Sequence, residues 1–384
     1  ITSPPLSKSV AVGQPVSFAV SVSGGAPLAY QWKRNGQIIA SATTSTLSIA
    51  AATLTDRGWY QVIASNASGS ARSVFHLDTT PVESRAVAWG DVATGATAVP
   101  TSLGSVLAVA GGEAHSVALK ADRTVAVWGS NFYGQTGIPA GLADVVQISA
   151  GFRSVFALKG DGTLVAWGSF GNGTSIVLPV FTKKIVTLAA GSSHALAVAS
   201  DGTVQAWGDN SRGQTAVPAG LTDIVAVSAG YAHSLALKAD GTVVGWGWNL
   251  YGQSTVPAGL SGVVALAAGD YHSVALKSDG SVVVWGDDAA KVTTLPTGLA
   301  NVTSVASASR YGVASKSDGG VVVWDPDFGG SVVRVLPWGL AGVSRVAAGY
   351  RHALALMVPP PLEITQDPAS QTVFATTVLG LNVK

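Results

Sequence analysis

A tryptophan returns at Trp89, Trp128, Trp167, Trp207, Trp246, Trp285 and Trp324, each 39 or 40 residues after the last, with glycine after it in every copy but the final one. A fixed period of this length marks a repeat architecture. The full phrase is clearest from Val225 to Gly247, V-A-V-S-A-G-Y-A-H-S-L-A-L-K-A-D-G-T-V-V-G-W-G. Alternation places Val225, Val227 and Ala229 on one side of a first strand, and Leu235 and Leu237 on one side of a second. Asp240-Gly241 supplies the hairpin turn between strands two and three, because Gly accepts positive φ and Asp tolerates it better than most residues. Equivalent turns are read at Asp161-Gly162, Asp201-Gly202, Asp279-Gly280 and Asp318-Gly319. The first copy has Asp122-Arg123, which predicts a strained or longer turn. The third strand is T-V-x-x-W-G, and a short fourth is expected through G-Q-x-x-V-P to Pro218 or Pro257, at an edge.

A second series, A-G-x-x-H-S-x-A-L, is anchored at Gly112, Gly151, Gly191, Gly230, Gly269, Ala308 and Gly349. It is out of phase with the tryptophans. The region opens on A-V-A-W-G (Ala86 to Gly90) and ends on A-G-Y-R-H-A-L-A-L (Ala348 to Leu356), so the half-units at its two ends complete one another. The expected fold is all-β: a seven-bladed β-propeller over residues 86–357, closed by its own termini and free of open sheet edges.

The chain has 384 residues, room for two or three domains. Only 11% of residues are charged and 47% are hydrophobic, yet no run of 18 apolar residues occurs, so the apolar content belongs to strand cores and a membrane span is not expected. A net charge of +1 without a Lys/Arg cluster argues against nucleic acid and against a membrane surface. Cysteine is absent, which removes disulfides, thiolate metal sites and a cysteine nucleophile together. The chain opens at Ile1 without a methionine, so a leader is expected to have been left off a secreted or cell-surface protein.

Residues 1–80 lack the repeat. Alternation at Val16, Phe18 and Val20, then Y-Q-W-K at Tyr30 to Lys33 and D-R-G-W-Y at Asp56 to Tyr60, predicts short antiparallel strands. The pattern resembles an immunoglobulin-like β-sandwich of the intermediate set, with Trp32 as core tryptophan and Tyr60 as corner tyrosine. Val20 and Val62 stand at the two cysteine positions, so apolar packing must replace the cross-link. Residues 81–85 read as a linker. After Pro359-Pro360-Pro361, the phrase L-E-I-T-Q-D-P-A-S-Q-T-V echoes the opening of the first domain, so 358–384 is expected to be a Pro-rich linker and the start of a second immunoglobulin-like domain. So short a piece buries no core alone.

The phrase A-G-x-x-H-S-x-A-L-K-x-D-G-x-V-x-x-W-G resembles the regulator of chromosome condensation repeat across residues 86–357. With W-G-x-N-x-x-G-Q-x-x-V-P at Trp128 to Pro139, Trp207 to Pro218 and Trp246 to Pro257, it is similar to the compact bacterial branch, which includes a secreted propeller that inhibits β-lactamases. Seven blades are what both branches imply. A shared fold does not by itself assign an activity.

In an up-and-down blade, the A-G-x-x-H loops and the Trp-Gly loops emerge on one face and the Asp-Gly turns on the other. The turns are nearly constant across copies. The opposite loops vary and carry large side chains: Phe152, Arg153, Tyr231, Asp270, Tyr271, Arg310, Tyr350 and Arg351 in one series, with Phe132, Tyr133, Phe170, Arg212, Trp248, Tyr251 and Phe328 in the other. Aromatics with Arg on a rigid surface are the stuff of binding hot spots. The bland alternative is packing between neighbouring loops.

His115, His194, His233, His272 and His352 fill one slot in five copies, with Ser154 and Tyr311 in the other two. A slot filled once per blade is set by the blade, so these histidines are read as bonding to backbone in their own or the next blade, and no metal site is expected. The Trp side chains are read as filling the space between blades. Asp287-Asp288 and Asp325/Asp327 are read as solvated loop charge; no catalytic residues and no cofactor are expected. The triplets at Asn66, Asn172 and Asn301 are expected by chance. The functional expectation is a non-enzymatic protein-binding propeller, monomeric, inside a longer extracellular chain with immunoglobulin-like spacers. Carbohydrate or cell-wall binding is the alternative, ahead of enzyme inhibition, nucleotide exchange on a small GTPase, or catalysis.

Overall fold

The computed structural model describes residues 1–287, 293–324, 336–337 and 340–358. Phe328, Asp288, Asp325, Asp327 and the expected start of a second domain after Val358 lie outside the described residues.

Seven strands build the N-terminal domain: β1 (Lys8–Ala11), β2 (Val16–Ala19), β3 (Ala29–Arg34), β4 (Gln37–Ile38), β5 (Thr46–Ile49), β6 (Gly58–Asn66) and β7 (Gly69–Thr80). They form a five-stranded sheet in the order β1-β7-β6-β3-β4 and a two-stranded sheet of β2 and β5. Phe18 meets Phe75 at 4.4 Å between ring centroids, and Tyr60 stacks on Phe75 at 5.5 Å. Trp32 is fully buried and its indole donates to the Thr44 carbonyl at 2.7 Å. The Tyr60 hydroxyl reaches back to the Asp56 carbonyl at 2.7 Å, which is the tyrosine-corner bond. Val20 and Val62 are both buried in the same core, so methyl groups occupy the space where a cross-link would run.

The rest of the described chain is a succession of three-stranded antiparallel sheets. The first runs Val106–Gly111, His115–Lys120 and Val125–Gly129, and the copies centred on Ser154–Lys159, His194–Ala199, His233–Lys238, His272–Lys277 and Tyr311–Lys316 repeat it. In the seventh, Val343–Ala348 and His352–Met357 are completed by β8 (Arg85–Gly90), from the far end of the sequence, which pairs Trp89 with Ala353. Backbone donors stitch consecutive sheets together: Glu113 to Phe152, Phe152 to Gly191, Ser192 to Gly230, Tyr231 to Gly269 and Asp270 to Ser309. The Tyr311 hydroxyl bonds the Gly349 carbonyl of sheet seven, and Tyr350 donates to Gly112 of sheet one.

The middle strands are buried on both faces. Leu235, Ala236 and Leu237 are all fully enclosed, so the one-sided alternation expected there is replaced by a strand sandwiched between neighbouring sheets. The first strands carry a second departure. Each has a register shift at its second residue, bracketed by Ile224 and Ala226 in sheet four, so Val225 is a bulge and not the start of a clean alternation.

The expected fourth strand does not form. The G-Q-x-x-V-P segment folds into successive turns, with Ala216 N bonding Gly213 O and Val217 N bonding Thr215 O. Its carbonyls serve the next sheet: Gln214 O accepts from both the Trp246 indole and the Ser234 hydroxyl. Ala96 O does the same for Trp128 and Ser116. Trp128, Trp167 and Trp246 thus clamp the preceding loop instead of a ladder, whereas the Trp207, Trp285 and Trp324 indoles find no acceptor among the described residues. The first copy's turn keeps the common length, Arg123 N bonding Lys120 O as Gly162 N bonds Lys159 O, and holds Arg123 at φ 63°. It is therefore strained and not longer.

Glycine opens six of the seven inner turns, Ala308 standing in the sixth, and at Gly230 the reason is steric. At Gly230 an added Cβ would fall well inside contact distance of Gly269 O and of the His233 ring. Gly230→Ala is expected to destabilise the chain by about 3 kcal/mol, because backbone lies on one side and a buried ring on the other. An unchanged thermal midpoint would contradict the packing described.

The N-terminal domain lies against the Asp-Gly turn side, here called the lower face. Its polar side chains seek the bulge carbonyls: Thr80 bonds Leu107 O, Ser7 bonds Val186 O, His76 bonds Val225 O and Arg57 bonds Thr303 O. Arg345 makes a two-pronged ion pair with Asp78, and Arg72 pairs with Asp223. Phe75 and Leu77 share one buried cluster with Val186 and Val225. A bulge leaves ladder carbonyls unpaired, and the domain satisfies them. This departs from the expected spacer role, since a spacer would leave those carbonyls to water.

Candidate functional site

With the lower face covered in this way, the loops of the upper face are the variable surface that remains open. The A-G-x-x-H and Trp-Gly loops do meet there. Tyr231, Trp248, Tyr251 and Tyr271, from sheets four and five, form a nest with ring centroids 5.2 to 6.3 Å apart. Arg212 lies over Trp248 at 5.6 Å and Arg310 over Tyr271 at 5.0 Å. Tyr231 is 45% exposed. Burial raises the Tyr271 hydroxyl above its ordinary range, with neighbouring Asp270 pushing the same way.

A second group gathers on sheets one, two and seven. Phe152 meets Tyr350 edge-on at 5.2 Å, and Phe132 meets Tyr133 at 4.9 Å. Arg153 stacks over Tyr133 at 4.1 Å, donates to Glu113 at 2.9 Å and reaches the Gly171 carbonyl at 3.2 Å. Phe132 stands out at 84% exposed. Glu113 was not singled out from the sequence, and neither was Leu250, 70% exposed beside the first nest. A side chain of large apolar type inside the variable W-N-L-Y loop was the available signal for Leu250.

Two expected face residues behave otherwise. Phe170 is 2% exposed, turned inward 6.4 Å from Phe156. Its loop closes early, with Gly173 N bonding Phe170 O and Phe170 N bonding Thr174 O, and this pulls the ring into the core. Arg351 is held by Asp91 at 3.6 Å, an exposed pair worth little.

The repeated histidines are buried and linked sheet to sheet. His194 Nε2 meets Ser234 Oγ at 3.0 Å, His233 meets Ser273 at 2.9 Å, His272 meets Ser307 at 2.6 Å and His352 meets Ser116 at 2.9 Å. Ser116, Ser234 and Ser273 give their own protons to carbonyls, so each must accept from Nε2–H. The expected backbone bond is therefore relayed through a serine. His115 lacks the relay because Val155 occupies the serine position of the next sheet. Burial lowers every one of these imidazoles, to about 4 for His115, His194 and His352 and about 3 for His233 and His272. A Ser–His pair invites comparison with a nucleophile and its base, but Ser116, Ser234 and Ser273 are fully buried and already bonded to carbonyls, and Ser307, part-buried beside the small upper cavity, bonds the Tyr311 carbonyl. Among the described residues, no three His, Asp or Glu side chains converge as metal ligands.

Two cavities stand out. The larger, about 1230 Å³, lies between the N-terminal domain and the lower turns of sheets four to seven, where Arg34–Asp56, Lys277–Asp279 and Lys316–Asp318 are already paired. The smaller, about 90 Å³, opens on the upper face at the centre of the array. Inner turns from all seven sheets line it, together with Glu113, Phe152, Tyr231, Asp270 and Tyr350. No described helix is long and apolar enough to cross a membrane.

Comparison with known proteins agrees with this architecture. The Regulator of chromosome condensation (RCC1) repeat matches residues 106–135, 145–174, 185–214, 224–253 and 263–289, and an immunoglobulin domain matches residues 1–66. No curated protein matches the chain. Among solved structures, Prp20p of Saccharomyces cerevisiae, studied for its binding to Gsp1p and histones, is 19% identical, with a TM-score of 0.62 over 73% of this chain and 93% of that one. Human WBSCR16 is 19% identical, with a TM-score of 0.57 over 72% and 99%. The ectodomain of the Physcomitrella patens receptor kinase CR4 is 21% identical, with a TM-score of 0.51 over 74% and 73%. At such identities the likeness concerns fold alone. The chain carries five regulator of chromosome condensation repeats behind an N-terminal immunoglobulin-like domain.

Proposed function

We propose that this chain is a non-enzymatic protein-binding module of a larger secreted or cell-surface protein, recognising its partner through the upper loop face of a closed, seven-bladed propeller. The observation that carries the reading is the segregation of faces: the lower face engages the N-terminal domain, while aromatic and Arg side chains collect in two groups on the upper one. Rigid aromatics supply large contact area at low entropic cost. Relatives of the fold whose structures are described with protein partners, such as Prp20p with Gsp1p and histones, are consistent with this use.

A sugar-stacking reading would use the same rings. The interplanar angles of 75° that Trp248 makes with Tyr251 and with Tyr271 describe a tilted nest, which suits an inserted side chain better than the flat face of a pyranose. The compact bacterial inhibitor branch fits as one form of the protein-binding reading.

The test is capture by the full chain beside its Tyr231→Ala/Trp248→Ala/Tyr271→Ala variant, followed by affinity measurement with the purified partner. Loss of at least 100-fold in Kd is expected, on the order of 3 kcal/mol, with the thermal midpoint nearly unchanged. Equal affinity in wild type and variant would remove this face as the binding surface, and selective binding on a glycan array would favour the sugar reading.

A further inference from the structure

Asp270 occupies an unusual position on the upper face. It lines the small central cavity, its backbone N–H is spent on the Ser309 carbonyl, and its carboxylate accepts no hydrogen bond from the described residues. The nearby cation is Arg310, whose guanidinium stacks on Tyr271. Burial pushes the Asp270 carboxyl up to about 6, Arg310 offsetting only part of the cost. A partly buried carboxylate without donors is costly to keep, and such groups mark places where a ligand completes the bonding.

The surroundings define what would complete it. Glu113 also lines the cavity, so a second carboxylate contributes negative potential there, though Arg153 holds it. Phe152, Tyr231 and Tyr350 also line the opening, and aromatic rings beside a carboxylate favour a cation. The lining is otherwise glycine, alanine and serine from the inner turns, which leaves an opening of about 90 Å³. That is room for a slender chain and little more.

We propose that the central opening is a receptor for a primary ammonium on an unbranched alkyl stem, the lysine side chain of a bound protein, with Asp270 as its counter-ion and the surrounding rings as its collar. This rests on the protein-binding reading of the face and names the chemistry of its central contact. The two flanking aromatic groups would then grip the partner on either side of the inserted lysine. A guanidinium is a poorer fit, because its planar fork carries five donors and Asp270 is the one carboxylate of the lining left without a donor.

The experiment titrates n-butylammonium into the isotope-labelled full chain and follows backbone amide resonances of Gly112, Gly191, Gly230 and Gly269 at the inner turns. Saturable shifts at millimolar concentration are expected, absent with n-butanol, which has the same stem without the charge. Asp270→Asn should weaken the response at least tenfold, while Asp209→Asn, on the same face but outside the opening, should leave it unchanged. Thermal midpoints of both variants verify folding. Absence of saturable shifts in the wild-type chain, an equal response to n-butanol, or unaltered affinity in folded Asp270→Asn would each overturn the proposal. Because the probe needs no protein partner, such a failure is separable from failure of the triple-alanine test.

Discussion

Lowered from pH 7 to pH 5, the chain is expected to unfold cooperatively, with its midpoint between pH 6 and 4.5. The cause is the row of buried histidines. His115, His194, His233, His272 and His352 are neutral in the fold and lie well below the ordinary imidazole range, while the unfolded chain would titrate near 6.5. Their folded values are depressed, so stability is constant above about pH 6.5. It falls as the pH drops below that, because the unfolded state takes up protons that the native state refuses. At pH 5 each such group costs about 2 kcal/mol, and five together cost about 10, which is the size of a typical domain's whole stability. His76, also lowered by burial, acts in the same sense.

The turn aspartates work in a different window and separate the two causes. Asp122, Asp161 and Asp279 are held down to about 2, chiefly by Thr124, Thr163 and Ser281 hydroxyls, so their contribution is present above the unfolded value and is lost only between about pH 4 and 2. Tryptophan fluorescence and far-ultraviolet circular dichroism against pH would distinguish them. A midpoint below pH 4 would mean that carboxylates, and not the histidines, govern acid stability.

Removing the N-terminal domain is expected to lower the thermal midpoint of the ring by about 10 °C or more. Val186 and Val225 would surface from the cluster they share with Phe75 and Leu77, at about 1.5–3 kcal/mol each. Arg345, only 16% exposed, would lose the Asp78 carboxylate, a charged bond worth about 1.5–3 kcal/mol. The bulge carbonyls themselves would be rehydrated and contribute less. At about 2–4 °C per kcal/mol for a chain of this size, the total is readily measured. Scanning calorimetry on a chain beginning at residue 81, beside the full chain, tests it. Equal midpoints, or two independent transitions in the full chain, would show that the contact between domain and ring carries no stability.

Those expectations divide cleanly by what one sequence can reveal. The repeat period, the completion of sheet seven by β8, the core role of Trp32 and the Tyr60 corner were legible because each is a local pattern with one structural solution. The meeting of the two loop series on one face was legible by counting strands, although the fourth strand is a run of turns. The lower face was not legible, for Leu107, Val186 and Val225 read as ordinary strand residues and nothing in their type announces a bulge. Phe170 was misplaced because its inward turn depends on a loop closure set by Gly173 and Thr174. Asp270 was placed on the variable face from the sequence, but its lack of donors was not legible, since that is a fact of three dimensions.

The row of bulges has one further consequence. Sheets that repeat around an axis offer nearly interchangeable sockets, so a cap that merely bonded to carbonyls could settle one step clockwise or anticlockwise at little cost. What breaks the degeneracy is charge placed on single sheets: Arg345 meets Asp78 on the seventh and Asp223 meets Arg72 on the fourth. These pairs index the rotation of the cap, as a keyed plug enters its outlet in one orientation, and so fix where the N-terminus points relative to the loops of the upper face.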